Sequence, residues 1–179
     1  MKITVVRHTA VAVEPDICYG QSNVDVADSF EMEAALIITQ LQHSCFDAVY
    51  SSPSQRCTKL ANYCGFKTPF LDSRLMELDF GDWEMKAWTE INDPQLKHWY
   101  ADWINEKPTN GESFRDQIER VKSFLNDLQT KDYLNIAIFT HAGVIRALGV
   151  LLKKFPIENI FGFKVEYGQV IEFGWFPEK

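Results

Sequence analysis

The sequence predicts a three-layer α/β/α fold with a mostly parallel central sheet, in a single domain spanning residues 1–179. Three observations carry that reading. Short apolar runs such as ITVV, DAVY and IAIF alternate with stretches of helical spacing, the pattern of strands joined by crossover helices. No internal repeat, low-complexity tract or Gly/Ser linker divides the chain. Its 179 residues, 46% hydrophobic and 24% charged, suffice for one substantial core.

Strands are expected near residues 2–7, 47–51, 134–139 and 169–176. Between them, DSFEMEAALIITQLQ keeps Phe30, Ala34, Ile37, Ile38 and Leu41 on one face, with Asp28 and Glu31 spaced as a capping box. Ser52-Pro53-Ser54-Gln55 reads as a second helix start, with Ser52 as N-cap, Pro53 in the first turn and Arg56 following. ESFRDQIERVKSFLNDL aligns Phe114, Ile118, Val121, Leu125 and Leu128, and AGVIRALGVLL aligns Val144, Leu148 and Leu151. The region at about 84–111 is irregular and aromatic. With Trp83 just before it, it holds four of the five tryptophans, and it is expected to form a helical cap over one end of the sheet, packed rather than open for base stacking.

The formal charge of −7 argues against a broad surface for nucleic acid or anionic membrane. An apolar start at Met1–Val13 is broken by Arg7-His8 and lacks the basic leader of a secretory signal, and no run approaches the roughly 20 apolar residues of a membrane span. The four cysteines form no CxxC pair, which suits reduced thiols in a cytoplasmic protein.

Three predicted strands end alike. VV runs into Arg7-His8, DAVY into Ser51-Ser52-Pro53-Ser54-Gln55-Arg56, and IAIF into Thr140-His141. In an open parallel sheet the ligand crevice lies beyond the carboxyl ends of the strands, so these groups should meet. Two arginines and two histidines suit a phosphoryl group, since arginine offers bidentate bonds and histidine can donate, accept or attack. The small Ala142-Gly143 pair leaves helix-start N–H groups accessible as a further anion contact. In LMELDFGDWE, Glu77 precedes an aromatic stretch that would desolvate it, as a proton donor requires, but Asp79, Asp82 and Glu84 compete for that role on residue type alone. His43 and His98 lack such company and are read as surface or packing residues, and Arg146 as structural.

Five segments, VRHT, SSPSQRCTKLA, MELDFGDWE, NGES and THAGVIRAL, resemble in order the RHG, SSPLxRxxxTA, LxExxFGxWEG, GGES and THGGxIRxL motifs of the histidine phosphatase superfamily. The resemblance implies a phosphoglycerate mutase-like fold. It also implies a phosphatase in which His8 becomes phosphohistidine, Glu77 protonates the leaving oxygen, and Arg7, Arg56 and His141 clamp the phosphoryl group. Tyr19, Gly20 and Gln21 match a loop over the phosphate, and Ala142 is expected to contact substrate. Thr9, Met85 and Ala142 stand where the family prefers glycine, and the asparagine that often follows the first motif has no counterpart. The short FGDWE form favours net hydrolysis over phosphoryl return, and the RHT with its CYGQ loop resembles small α-ribazole phosphatase-like members, which implies a nucleotide-like ester such as α-ribazole 5'-phosphate. Mutase-type transfer, or phosphate-ligand binding without turnover, are the alternatives. No cofactor and no metal is expected, because the positive side chains neutralise the charge. The expected partner is a small phosphorylated substrate, with no nucleic acid and no membrane, and the chain is expected as monomer or homodimer.

Overall fold

In the computed structural model, which describes residues 1–175, the alternation resolves into β1 (Lys2–Arg7), β2 (Ile17–Cys18), α1 (Phe30–Leu41), β3 (Ala48–Ser51), α2 (Gln55–Tyr63), β4 (Phe70–Leu71), β5 (Lys86–Ala87), α3 (Gln95–Ala101), α4 (Phe114–Gln129), β6 (Asn135–Thr140), α5 (Ala142–Leu151) and β7 (Val170–Gly174). The main sheet has the order β4-β3-β6-β1-β7. Its β3/β4, β3/β6 and β1/β6 pairs are parallel, and β7 adds an antiparallel edge to β1. Residue 176, the last of the expected fourth strand, lies outside the described residues.

Two-residue side-chain alternation builds the layers. Ile3 and Val5 of β1, with Ile136 and Ile138 of β6, pack against Ile118, Val121 and Leu125 of α4 and Val144 and Leu148 of α5. Val6, Ala137 and Phe139 point the other way, onto Ala34, Ile37 and Leu41 of α1 and Cys57, Leu60 and Ala61 of α2. A one-residue slip of β1 would exchange these two cores, so the register is strongly held.

Two expected helix starts are corrected. Helix α1 begins at Phe30 with Ser29 as N-cap, and the Ser29 hydroxyl goes to Glu33 rather than Asp28 pairing with Glu31. Helix α2 begins at Gln55, later than the Pro53 start expected, because Ser54 takes an extended N-cap conformation and the Gln55 N–H is received by Asn23 Oδ1. Arg56 nevertheless remains in the first turn. A capping box does form at α4, between Ser113 and Asp116. In the aromatic excursion, helix is confined to α3 and a single 3₁₀ turn at Trp88–Glu90, and β5 pairs with β2.

Candidate active site

The parallel register brings the strand ends side by side. Arg7 is level with Thr140 and Ser51 with Phe139, the His8 N–H bonds the Thr140 carbonyl, and the Ser52 N–H bonds that of Phe139. Residues far apart in the chain thereby meet, and the His8 and His141 rings stand 5.1 Å apart.

His8 is 1% exposed. Its Nδ1 lies 2.8 Å from the Thr9 carbonyl, which can only accept, so Nδ1 carries the proton and Nε2 keeps a lone pair. Burial, more than the nearby Arg56 and Arg7 cations, pulls the imidazole pKa down to about 3. His141, fully buried, is lowered in the same direction by burial and then by His8 and Arg56. Its Nε2 meets Ser52 Oγ at 2.8 Å, while its Nδ1 is buried without a partner.

A depressed pKa is also a statement about stability. An unfolded histidine takes a proton near pH 6.5 and folded His8 does not until about pH 3, so stability is full above pH 6.5 and falls as pH drops through that window. Thermal or urea unfolding between pH 7 and pH 4 should show His8→Asn with a shallower loss than the parent, by up to about 1.4 kcal/mol per pH unit. Parallel curves for the two proteins would refute the shift.

Arg56 is 0% exposed, yet no carboxylate lies within ion-pair distance of it among the described residues. Its Nη1 and Nη2 donate to the carbonyls of Ser22 and Gly20 at 2.8 and 2.7 Å, and its Nε is unpartnered. Arg7 is similar: Nη1 donates to the Val165 carbonyl at 2.6 Å, and Nε is buried without a partner. Burying a cation against carbonyls alone is unfavourable unless an anion completes the site. The orphaned N–H groups are donors for such an anion.

The four candidate acids separate by what their carboxylates touch. Glu84 accepts from the N–H groups of Gln21, Ser22 and Phe80 and from the Ser22 hydroxyl, so it anchors the Tyr19–Ser22 loop. Gly20, with φ of +41°, lies against this carboxylate, and a Cβ there would sit 2.1 Å from Glu84 Oε1. Asp79 accepts from the Gly81 N–H, and Asp82 meets the Asn110 amide at the surface. Glu77 alone of the four lines the cavity beside Arg7.

The surroundings of Glu77 differ from those expected. Its carboxylate meets N–H donors, Leu78 at 2.9 Å and Gly143 at 3.1 Å, rather than an apolar wall. The accessible N–H group after Ala142 therefore does receive an anion, but a protein carboxylate. A Cβ at Gly143 would stand 2.2 Å from Glu77 Oε1, so the missing side chain is what lets the acid lie there. The Glu77 carbonyl is held by Gln21 Nε2 at 3.0 Å and by Arg120 Nη2 at 2.9 Å, with Arg120 paired to Glu112. One Gln21 amide N–H is thus spent on the backbone.

Next to these groups a cavity of about 450 Å³ is lined by Tyr19, Gly20, Glu77, Ala142, Arg146 and the aromatic excursion, through Trp88, Trp99 and Trp103. The tryptophans are packed as expected, with Trp88 and Trp99 stacked 5.7 Å apart and Trp83 edge-on to both, yet they also form the cavity wall. Arg146, expected to be structural, lines the same cavity with a buried, unpartnered Nε. His43 and His98 lie outside it. Cys57 touches His141, but burial pushes its thiol up to about 12, so it supplies no thiolate. No group of His, Cys, Asp and Glu among the described residues could hold a metal, and no described helix is long and apolar enough to cross a membrane.

The arrangement of a lone-pair imidazole, two arginines with free donors, a second imidazole and a carboxylate that lines the adjoining cavity can bind a phosphoryl group and divide proton and nucleophile duties. Comparison with known proteins agrees. The model of the histidine phosphatase superfamily (branch 1) matches residues 3–179. An adenosylcobalamin/alpha-ribazole phosphatase of Salmonella typhimurium is 30% identical, over 94% of this chain and 87% of its own length. The Escherichia coli protein of the same name is 28% identical over the same shares. The crystal structure of the alpha-ribazole phosphatase from Shigella flexneri superposes with a TM-score of 0.87 at 27% identity, over 96% of this chain and 89% of that one.

Proposed function

Because this chain belongs to the histidine phosphatase superfamily, branch 1, and is a phosphatase, we propose that it hydrolyses a small phosphomonoester through a phosphohistidine on His8, without a metal. The observation that carries this reading is the buried Arg56, held by two carbonyls and no carboxylate, beside a His8 that keeps its lone pair. In the first step His8 Nε2 attacks phosphorus, the P–O ester bond breaks, and Glu77 delivers its proton to the leaving oxygen. Arg7, Arg56 and His141 hold the phosphoryl oxygens as charge develops. In the second step water attacks phosphorus, Glu77 takes the water's proton, and the P–N bond breaks to release phosphate and free imidazole.

The leaving alcohol belongs in the aromatic cavity. Trp88, Trp99 and Trp103 offer a wall for a flat ring, Arg146 a hydrogen-bond donor through its unpartnered Nε, and Tyr19, Gly20 and Ala142 the passage from the phosphoryl site. This suits a nucleotide-like ester, and with the relatives' names it supports α-ribazole 5'-phosphate as substrate. The free cysteines suit a cytoplasmic location. The segment at about 84–111 then serves as a cap over the leaving group. A phosphate-release assay in EDTA tests the proposal: α-ribazole 5'-phosphate should exceed glycerol 2-phosphate in kcat/KM by about 10²-fold or more. Activity that requires added metal, or equal rates on both esters, would count against it.

A further inference from the structure

Tyr167, in the turn before β7, belongs to none of the five motif segments, yet its ring lies 3.8 Å from the guanidinium carbon of Arg7 and 5.5 Å from the His8 ring. Its hydroxyl meets that of Tyr19 at 3.0 Å, and the Tyr19 ring faces Arg56 at 5.2 Å. The contacts form a continuous bracket from Arg7 through Tyr167 and Tyr19 to Arg56. The same turn supplies the Val165 carbonyl to Arg7 Nη1, the Gln169 carbonyl to the Arg7 N–H, and the Gly168 N–H to the His8 carbonyl. Gly168 makes this possible with φ of +67°.

Each contact removes a different freedom from Arg7. The Val165 carbonyl restrains rotation within the guanidinium plane, and the tyrosine face sets the plane itself. What remains free is the edge bearing the unpartnered Nε, and an edge of known direction is what bidentate bonding to a phosphoryl group requires. Burial and the bond to Tyr167 also raise the Tyr19 pKa, so that hydroxyl stays neutral beside the arginines.

We propose that Tyr167 is a positioning residue of the phosphoryl clamp, its ring setting the plane of Arg7 and its hydroxyl, through Tyr19, coupling that plane to Arg56. The inference rests on the assignment of both arginines to the phosphoryl group. The test measures inorganic phosphate binding by calorimetry, alongside turnover of p-nitrophenyl phosphate, on the full chain. Tyr167→Leu should weaken phosphate binding about tenfold and raise KM more than it lowers kcat, while Tyr167→Phe, which keeps the ring, should stay within about threefold of the parent. If Tyr167→Leu does not fold, the cycle of Tyr167→Phe, Tyr19→Phe and their double variant decides: each should weaken binding by about two- to threefold and the pair no further. Unchanged or tighter phosphate binding in Tyr167→Leu, loss confined to kcat, or an additive double variant overturns the proposal. A parent that binds phosphate without hydrolysing any ester would instead overturn the catalytic reading and leave this one standing.

Discussion

Replacing His8 with alanine is expected to lower kcat on p-nitrophenyl phosphate by about 10⁴-fold or more, and to abolish the acid-labile phosphoenzyme trapped by rapid quench. The size of the effect follows from the neighbours, none of which can take over. Cys57 is protonated at any working pH, with its thiol pushed up to about 12. The Ser52 hydroxyl is engaged with His141 and Ser54. His141 is the remaining nitrogen nucleophile, but its Nε2 is occupied by Ser52, and in the proposed mechanism the ring holds a phosphoryl oxygen rather than facing phosphorus. His141→Ala should therefore slow turnover while still yielding phosphoenzyme. A phosphoenzyme in His8→Ala, or none in the parent, would remove His8 from the role of nucleophile. Because both imidazoles are held neutral in the fold, neither substitution should lower the unfolding temperature at pH 5 as a lost ion pair would.

The strand ends were legible for a geometric reason. A parallel sheet gathers the carboxyl ends of its strands, so three polar endings on apolar runs sufficed to bring Arg7, His8, Arg56 and His141 together. The helix faces were legible because burial follows the 3.6-residue period, and the apolar sides of α1, α4 and α5 all point inward. Elements of two residues, such as β4 and the β2/β5 ladder, carry no period and could not be found. Long-range hydrogen bonds were equally silent: nothing in a string of residues says that Glu84 binds the Tyr19–Ser22 loop, or that Val165 and Tyr167 reach Arg7 across more than half the chain. Cap chemistry misled because Asp28 and Ser52 each stand three residues before a Glu31 or Gln55 that completes a capping-box spacing, whereas the helices start from Ser29 and Ser54, which have no such partner in the sequence.

The choice among four carboxylates yields the other large effect. Glu77→Gln keeps the shape and the acceptor oxygen for Gly143 but has no proton to give. Its kcat on an alkyl ester such as α-ribazole 5'-phosphate should fall by on the order of 10²–10⁴-fold. On p-nitrophenyl phosphate, whose alcohol leaves without a proton, the loss should be much smaller. The ratio of the two losses isolates proton donation from binding, since a weakened phosphoryl site would lower both rates together. Gly143→Ala should shift the same ratio in the same direction with little change in unfolding temperature. The added Cβ would clash with Glu77 Oε1 and the Gln117 amide, the ends of flexible side chains that can move aside, and moving aside takes the acid out of place. Glu84→Gln tests the competing assignment. It should loosen the loop that supplies the Gly20 and Ser22 carbonyls to Arg56, and so slow both esters alike. If Glu84→Gln, and not Glu77→Gln, separated the alkyl from the aryl ester, the proton would come from the loop anchor and the geometric choice of Glu77 would be wrong.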